Sequence, residues 1–265
     1  MKKIILFKEK AVAYEISGQG LPVVLIHGFP ETGELWHYQK DFLAQQCQVI
    51  IPDLPGSGAS PYNDQLSTID DYAEAIKAIT DNEKLDRVVL IGHSMGGYIS
   101  LAFAEKYPQL IKGIGLFHST ALADTEEKKQ ARLKGIEFIT NNGAFPFVKT
   151  SVPNSFSADF KDQHAHEVEA LIEAGKKFQP EALIQYYRAM IARPDRTSVL
   201  KACNVPVLFV IGEQDTIIPM QTVLPQTYLP SLSHIHILQN SAHMGMWEET
   251  HKANQILLDF LESLS

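Results

Sequence analysis

The sequence predicts an α/β chain built on a doubly wound, mostly parallel sheet of eight strands, and three observations carry that prediction. Short, nearly all-apolar runs rich in β-branched residues recur at Val23 to Ile26, Val49 to Ile51, Val88 to Ile91, Ile114 to Phe117, Val207 to Ile211 and Ile235 to Leu238. Helix-like stretches lie between several of them, and strands that alternate with helices and are apolar throughout are covered on both faces of a parallel sheet. The alternation then fails between about Ser119 and Thr197, where the chain turns polar and helical with no strand-like run.

At the start of the chain, Ile4 to Phe7 and Ala11 to Ile16 flank Lys8-Glu9-Lys10, a spacing that suits an antiparallel hairpin at a sheet edge, with the N-terminus as its outer strand. These two runs bring the strands to eight. Leu35 to Gln45 reads as a helix, as does Thr68 to Asn82, which opens with Thr68-Ile69-Asp70-Asp71 in the manner of a capping box. After the sixth strand, Ile114 to Phe117, residues 119–197 read as a helical cap, leaving 1–118 and 198–265 as the core. Within that cap Leu183, Ile184, Tyr187 and Ile191 make an apolar stripe, and Pro180 suits a first helical turn. A helical block between two core strands packs over one end of the sheet, and ligands of open α/β sheets bind at the carboxyl ends of strands, so this block is expected to be a lid.

Composition narrows the function classes. With 45% hydrophobic and 20% charged residues over 265 positions, one globular domain with a full core is expected. A net charge of -8 gives no extended basic footprint, which argues against nucleic acid or an anionic membrane as partner and for a small-molecule substrate. Cys47 and Cys203 have neither CxxC spacing nor the number for a disulfide framework or thiolate cage, and both are expected to be buried thiols. No apolar run approaches the roughly 18 residues of a membrane span. Met1 to Phe7 is too short for a signal-peptide core, so a cytoplasmic location is expected.

The chemistry is carried by Gly92-His93-Ser94-Met95-Gly96, a G-x-S-x-G directly after one strand and directly before a helix ending at Tyr107-Pro108. A nucleophile held on so sharp a turn needs small flanking residues, which Gly92, Gly96 and Gly97 provide. A serine hydroxyl is a poor nucleophile at neutral pH and needs a base, and the base needs an orienting acid. With the order Ser, acid, His, the candidates are Asp215, just past the strand Val207 to Ile211, and His243, just past Ile235 to Leu238. Asp215 has a competing reading as a helix cap, and Glu213 and Asp124 are the alternative acids. For the oxyanion, the amide of Met95 follows the nucleophile. In His27-Gly28-Phe29-Pro30 the amide of Phe29 is the natural second donor, because Pro30 has none.

The loop Asp53-Leu54-Pro55-Gly56-Ser57-Gly58 lacks the lysine of a phosphate-binding loop and reads as structural, and Gly18-Gln19-Gly20 lacks the rest of a dinucleotide fingerprint. Neither a metal nor another cofactor is expected. Phe117, Phe145, Phe147, Phe156, Met244, Met246 and Trp247 are candidates for an apolar acyl pocket.

Taken together, His27 to Pro30, the Asp53 to Ser60 loop, Gly92 to Gly97, Pro206 to Asp215 and His243 resemble the α/β-hydrolase superfamily over essentially the whole chain. The resemblance implies a nucleophile at Ser94, an acid at Asp215, a base at His243 and oxyanion donors at Phe29 and Met95. His27 to Pro30 with Trp36 also looks like epoxide hydrolases and haloalkane dehalogenases, which attack with an aspartate at the elbow. Ser94 in that place makes the chain more similar to serine carboxylesterases. The expectation is a serine hydrolase cleaving a carboxylic ester or related acyl compound. The alternatives on the same residues are C–C bond hydrolysis, a hydroxynitrile-lyase-like reaction, or a small-ligand sensor.

Overall fold

The computed structural model describes residues 1–264. Eight strands form one sheet: β1 (Lys2–Phe7), β2 (Lys10–Ser17), β3 (Leu21–Ile26), β4 (Cys47–Pro52), β5 (Val88–His93), β6 (Ile111–Phe117), β7 (Val207–Gly212) and β8 (Ser233–Leu238). Their spatial order is β1-β2-β4-β3-β5-β6-β7-β8. Only β2 runs against the others: it is antiparallel to β1 and to β4, while every later pair is parallel. The expected edge hairpin and outer N-terminal strand are therefore present.

The helices are α1 (His37–Leu43), α2 (Ile69–Asn82), α3 (Met95–Lys106), α4 (Glu126–Asn142), α5 (Ala144–Ser151), α6 (Ala158–Gln163), α7 (Ala165–Ala174), α8 (Pro180–Ala192), α9 (Thr197–Ala202), α10 (Met220–Val223), α11 (Gly245–Glu248) and α12 (Thr250–Glu262). Thr68 caps α2 with both bonds of the capping box, its hydroxyl accepting from Asp71 N and the Asp71 carboxylate accepting from Thr68 N. Double winding is visible on β6. A Cβ on Gly113 would meet Phe260 of α12, whereas Leu116, of opposite parity, packs against Gly97 of α3. Successive strand residues point to opposite faces, so helices cover both. No helix among the described residues is long and apolar enough to cross a membrane.

Between β6 and β7 the described residues form α4 to α9 and no strand. Pro180 opens α8, but the stripe expected on that helix is only part of its buried surface. Leu183 is buried while Ile184, Tyr187 and Ile191 are half-buried, and Ala182, Tyr186, Ala189 and Met190 are buried beside them. The reason is that α8 is clamped from two sides. Tyr186 donates to Pro55 O and Gln185 donates to Asn63 O and Leu66 O, fastening the helix to core loops. Tyr187 lies against Gly135 of α4 on the other side. Cys47 is buried as expected, whereas Cys203, at the end of α9, is only half-buried.

Candidate active site

Ser94 sits between β5 and α3 with φ 49° and ψ -114°, a conformation that costs a non-glycine residue about 1–3 kcal/mol. Its surroundings over-determine it. Ser94 N donates to Phe117 O at 3.0 Å, and Ser94 O accepts from Gly97 N at 2.9 Å and from Ser119 Oγ at 2.7 Å. The turn closes so tightly that a Cβ on Gly92 would lie 2.2 Å from the backbone of Gly96, and one on Gly96 would lie 2.3 Å from Ile26 O. Only glycine fits either place, which explains the G-x-S-x-G spacing physically.

Asp215 and His243 converge from the ends of β7 and β8. His243 Nδ1 lies 2.7 Å from Asp215 Oδ2, and Asp215 Oδ1 accepts from the amides of Ile217 and Ile218 at 2.8 Å each. Burial alone would raise the Asp215 carboxyl, but the facing imidazoles and their hydrogen bonds outweigh it and hold it well below the usual range. A carboxylate there only accepts, so Nδ1 of His243 carries a proton and Nε2 is left as its acceptor nitrogen. Of the alternative acids, Glu213 is exposed, and Asp124 is taken by Arg132 at 2.6 Å and Arg193 at 2.9 Å. Ser94 and His243 line one cavity, though among the described residues no hydrogen bond joins their side chains. Such bonds are often loose without substrate.

In the loop after β3, Gly28 N donates to Glu31 Oε2 at 2.7 Å. Among the described residues neither Phe29 N nor Met95 N donates to a protein acceptor.

Several residues that sequence reasoning passed over hold these loops in place. His93, the residue before the nucleophile, is fully buried, with Nδ1 2.9 Å from Glu31 Oε2 and Nε2 2.9 Å from His243 O. Burial would strip a proton from His93, but the Glu31 carboxylate reverses that and raises its pKa, while His93 holds the Glu31 carboxyl low. One ion pair thus ties the elbow to both the oxyanion loop and the loop of His243. Glu248 adds a second tie: it accepts from Ala242 N at 2.9 Å and Met244 N at 3.0 Å, on either side of His243, and from Ser157 N at 2.7 Å. Removing one partner of a buried pair typically costs about 3–5 kcal/mol. Glu31→Gln is therefore expected to lower Tm by roughly 6–20 °C in calorimetry, at about 2–4 °C per kcal/mol for a chain near this size. A change within 1 °C would mean that the pair holds nothing.

His118, directly after β6, is the second imidazole at the acid. Its Nδ1 lies 3.5 Å from Asp215 Oδ2 and 3.1 Å from Gly212 N, and its Nε2 lies 3.1 Å from Gly245 N, so a backbone donor faces each nitrogen of a ring that burial keeps neutral. Burial pushes its pKa down to about 4 from an ordinary 6.5. Between those values the unfolded chain binds a proton that the folded one does not, so this group removes stability as pH falls from 6.5 towards 4. His118→Asn is expected to flatten the fall of Tm across that window in acid-side melting curves. An unchanged slope would contradict the neutral assignment. Its position at a strand's carboxyl end was the sequence signal that could have found it.

His118, Asp215 and His243 are also the only His, Cys, Asp or Glu cluster among the described residues with ligand atoms close enough, within 4.8 Å, to hold a metal. Asp215 Oδ2 is already engaged by His243 Nδ1 at 2.7 Å, and the two nitrogens of His118 each lie 3.1 Å from a backbone amide, of Gly212 and Gly245.

The cavity at Ser94 has a volume of about 300 Å³. Its apolar wall is Phe29, Tyr98, Tyr187, Met190, Ile217 and Ile218, and Lys128 and Arg132 of α4 also reach it. The seven apolar residues named as candidates for an acyl pocket, each of which could equally be core, do not line it. Phe117 is in the core against Trp36 at 5.7 Å, Trp247 packs against Tyr38, and Phe156 and Met244 line a smaller neighbouring cavity of about 40 Å³.

A mostly parallel eight-stranded sheet with a positive-φ serine on a strand-to-helix elbow, and an acid–histidine pair on later strand ends, defines the α/β-hydrolase class. A family model described as "alpha/beta hydrolase fold" matches residues 22–136. The chain is 30% identical over 94% of its length to the dihydrolipoyllysine-residue acetyltransferase component of the acetoin cleaving system of Pseudomonas putida, of which it covers 65%. It thus spans just under two thirds of that relative. It is 25% identical over 92% of its length to the 2-hydroxy-6-oxo-6-phenylhexa-2,4-dienoate hydrolase of Burkholderia cepacia, covering 89% of it. Among solved structures, a thermophilic esterase from Thermogutta terrifontis in a malate-bound form superposes with a TM-score of 0.93 at 27% identity, covering 100% of this chain and 99% of that one. The chain has the α/β-hydrolase fold.

Proposed function

We propose that the protein is a serine hydrolase that cleaves a carboxylic ester or related small acyl compound through an acyl-enzyme on Ser94. The observation that supports this reading most is the convergence, at one cavity, of a Ser94 held at φ 49° and a His243 whose Nδ1 is engaged by Asp215 at 2.7 Å. In this mechanism Ser94 Oγ attacks the substrate carbonyl while His243 Nε2 takes its proton, and the amides of Phe29 and Met95 receive the negative charge that develops on the carbonyl oxygen. His243 returns the proton to the leaving group, and water repeats the sequence on the acyl-enzyme. Asp215 stays ionised and fixes the ring. Residues 119–197 act as the lid: α4 and α8 supply cavity wall, and the bonds of Ser155 O and Ser157 N reach the loop of His243.

A 300 Å³ cavity favours short acyl groups, so turnover of p-nitrophenyl acetate and butyrate is expected to exceed that of the octanoate. Absence of any ester turnover would move the reading to its rival, C–C bond hydrolysis with the same residues, which the similarity to the Burkholderia hydrolase supports.

A further inference from the structure

We propose that the Ser94 cavity contains an anion subsite made by Lys128 and Arg132, and that the substrate is an ester bearing a carboxylate of its own. This rests on the reading of the cavity as a hydrolase site and names its substrate class. Both cations are carried by α4, one helical turn apart, and both line the cavity that Ser94 and His243 line.

The charges around this wall do not balance. Asp124 is buried and is the single carboxylate facing Arg132 and Arg193, at 2.6 and 2.9 Å. Arg193 is spent: it also donates to Met190 O and Leu122 O and lies 3.8 Å over the Tyr98 ring. Arg132 uses Nε and one Nη on Asp124, so much of its five-donor fork is left over. Lys128 Nζ donates to the carbonyl of Ile217 at 3.1 Å and, among the described residues, to no carboxylate. Three cations thus share the buried Asp124, with Asp215 the one further carboxylate acting on Lys128, so positive charge is in excess at this wall of a chain whose net charge is -8. Burial, the first cause, and the two guanidiniums hold the Lys128 ammonium below the ordinary lysine range, a cost that an arriving anion would relieve.

The rest of the wall carries no carboxylate: Phe29, Tyr187 and Met190 and the neutral Ser151, Asn154 and Ser155 offer no counter-charge, and two cations in such a setting select a carboxylate over a neutral group. With the cations on one wall and Ser94 on another, an ester whose carboxylate docks on α4 presents its carbonyl to the nucleophile. The carboxylate resides either on the acyl part or on the alcohol part, and the two are distinguishable by experiment.

The test compares kcat/KM of the full-length protein for two matched pairs, monomethyl glutarate against methyl pentanoate and 3-acetoxypropanoate against propyl acetate. A charge-assisted contact corresponds to roughly a tenfold to hundredfold preference. In at least one pair the anionic ester is expected to lead by tenfold or more, with Lys128→Met collapsing that ratio and Lys128→Arg retaining it. Glutarate binding to the Ser94→Ala protein, measured by calorimetry, reads the subsite without requiring turnover, and should be lost in Ser94→Ala/Lys128→Met. No preference in either pair, together with glutarate binding that is absent or unaffected by Lys128→Met, overturns the subsite while neutral-ester turnover leaves the hydrolase reading standing. Glutarate binding that depends on Lys128 in a protein that turns over no ester keeps the subsite and removes the esterase.

Discussion

Ser94→Ala is expected to lower kcat/KM for p-nitrophenyl butyrate by about 10⁶-fold, to the level that oxyanion donors and substrate binding sustain alone, roughly 10³–10⁴ over water. The size follows from the way the site is divided. Phe29 N and Met95 N belong to the backbone and survive the substitution, whereas the only hydroxyl on the elbow is removed. Stability should hardly change, since Ser94 Oγ makes no hydrogen bond among the described residues and the bonds that hold the turn are to its backbone. A variant that keeps more than about a hundredth of wild-type activity at equal fold would place the nucleophile elsewhere.

Asp215→Asn is expected to cost about 10⁴-fold in kcat with the fold retained. Asparagine can keep its oxygen towards the amides of Ile217 and Ile218, which bond to Oδ1 at 2.8 Å in the wild type. Its amide nitrogen then faces Nδ1 of His243 and forces the proton onto Nε2, the nitrogen that must be bare to accept from Ser94. His118 makes the change harder to absorb. Its Nδ1 faces the same Asp215 oxygen and Gly212 N at 3.1 Å, and its Nε2 faces Gly245 N at 3.1 Å, so once that oxygen gives way to an amide nitrogen the ring's proton meets a backbone donor on either side with no acceptor to offset it. The double substitution Asp215→Asn/His118→Asn should therefore be more stable than Asp215→Asn alone in denaturant unfolding. Equal or lower stability would show that the two imidazoles are not coupled through the acid.

The residues proposed for chemistry were legible because each is announced locally. Ser94 stands between two glycines whose Cβ positions are occupied by backbone, and Asp215 and His243 lie on the loops just past the ends of two later strands. The inner strands were legible for a similar reason, since buried parallel strands are apolar on both faces, whereas their spatial order was not read from the sequence. What was not legible depends on partners far away in sequence. Glu31 and His93 are 62 residues apart, and His118 and Gly245 are 127 apart, so nothing local distinguishes them from ordinary loop residues. The acyl-pocket candidates could not be told from core in the sequence because an apolar residue reads the same in a core as in a cavity wall, and only packing separates Phe117 from Tyr187. Lys128 and Arg132 look like the solvated face of α4 until the fold turns that face to Ser94.

The central claim, that Ser94 is an activated nucleophile in a working acyl-transfer site, is tested most directly by treating the protein with a fluorophosphonate and mapping adducts by peptide mass spectrometry. The account predicts one adduct, on Ser94, formed at a rate that Asp215→Asn and His243→Gln each reduce by orders of magnitude. An intact, folded protein that takes no adduct, or takes it on a residue other than Ser94, would contradict it.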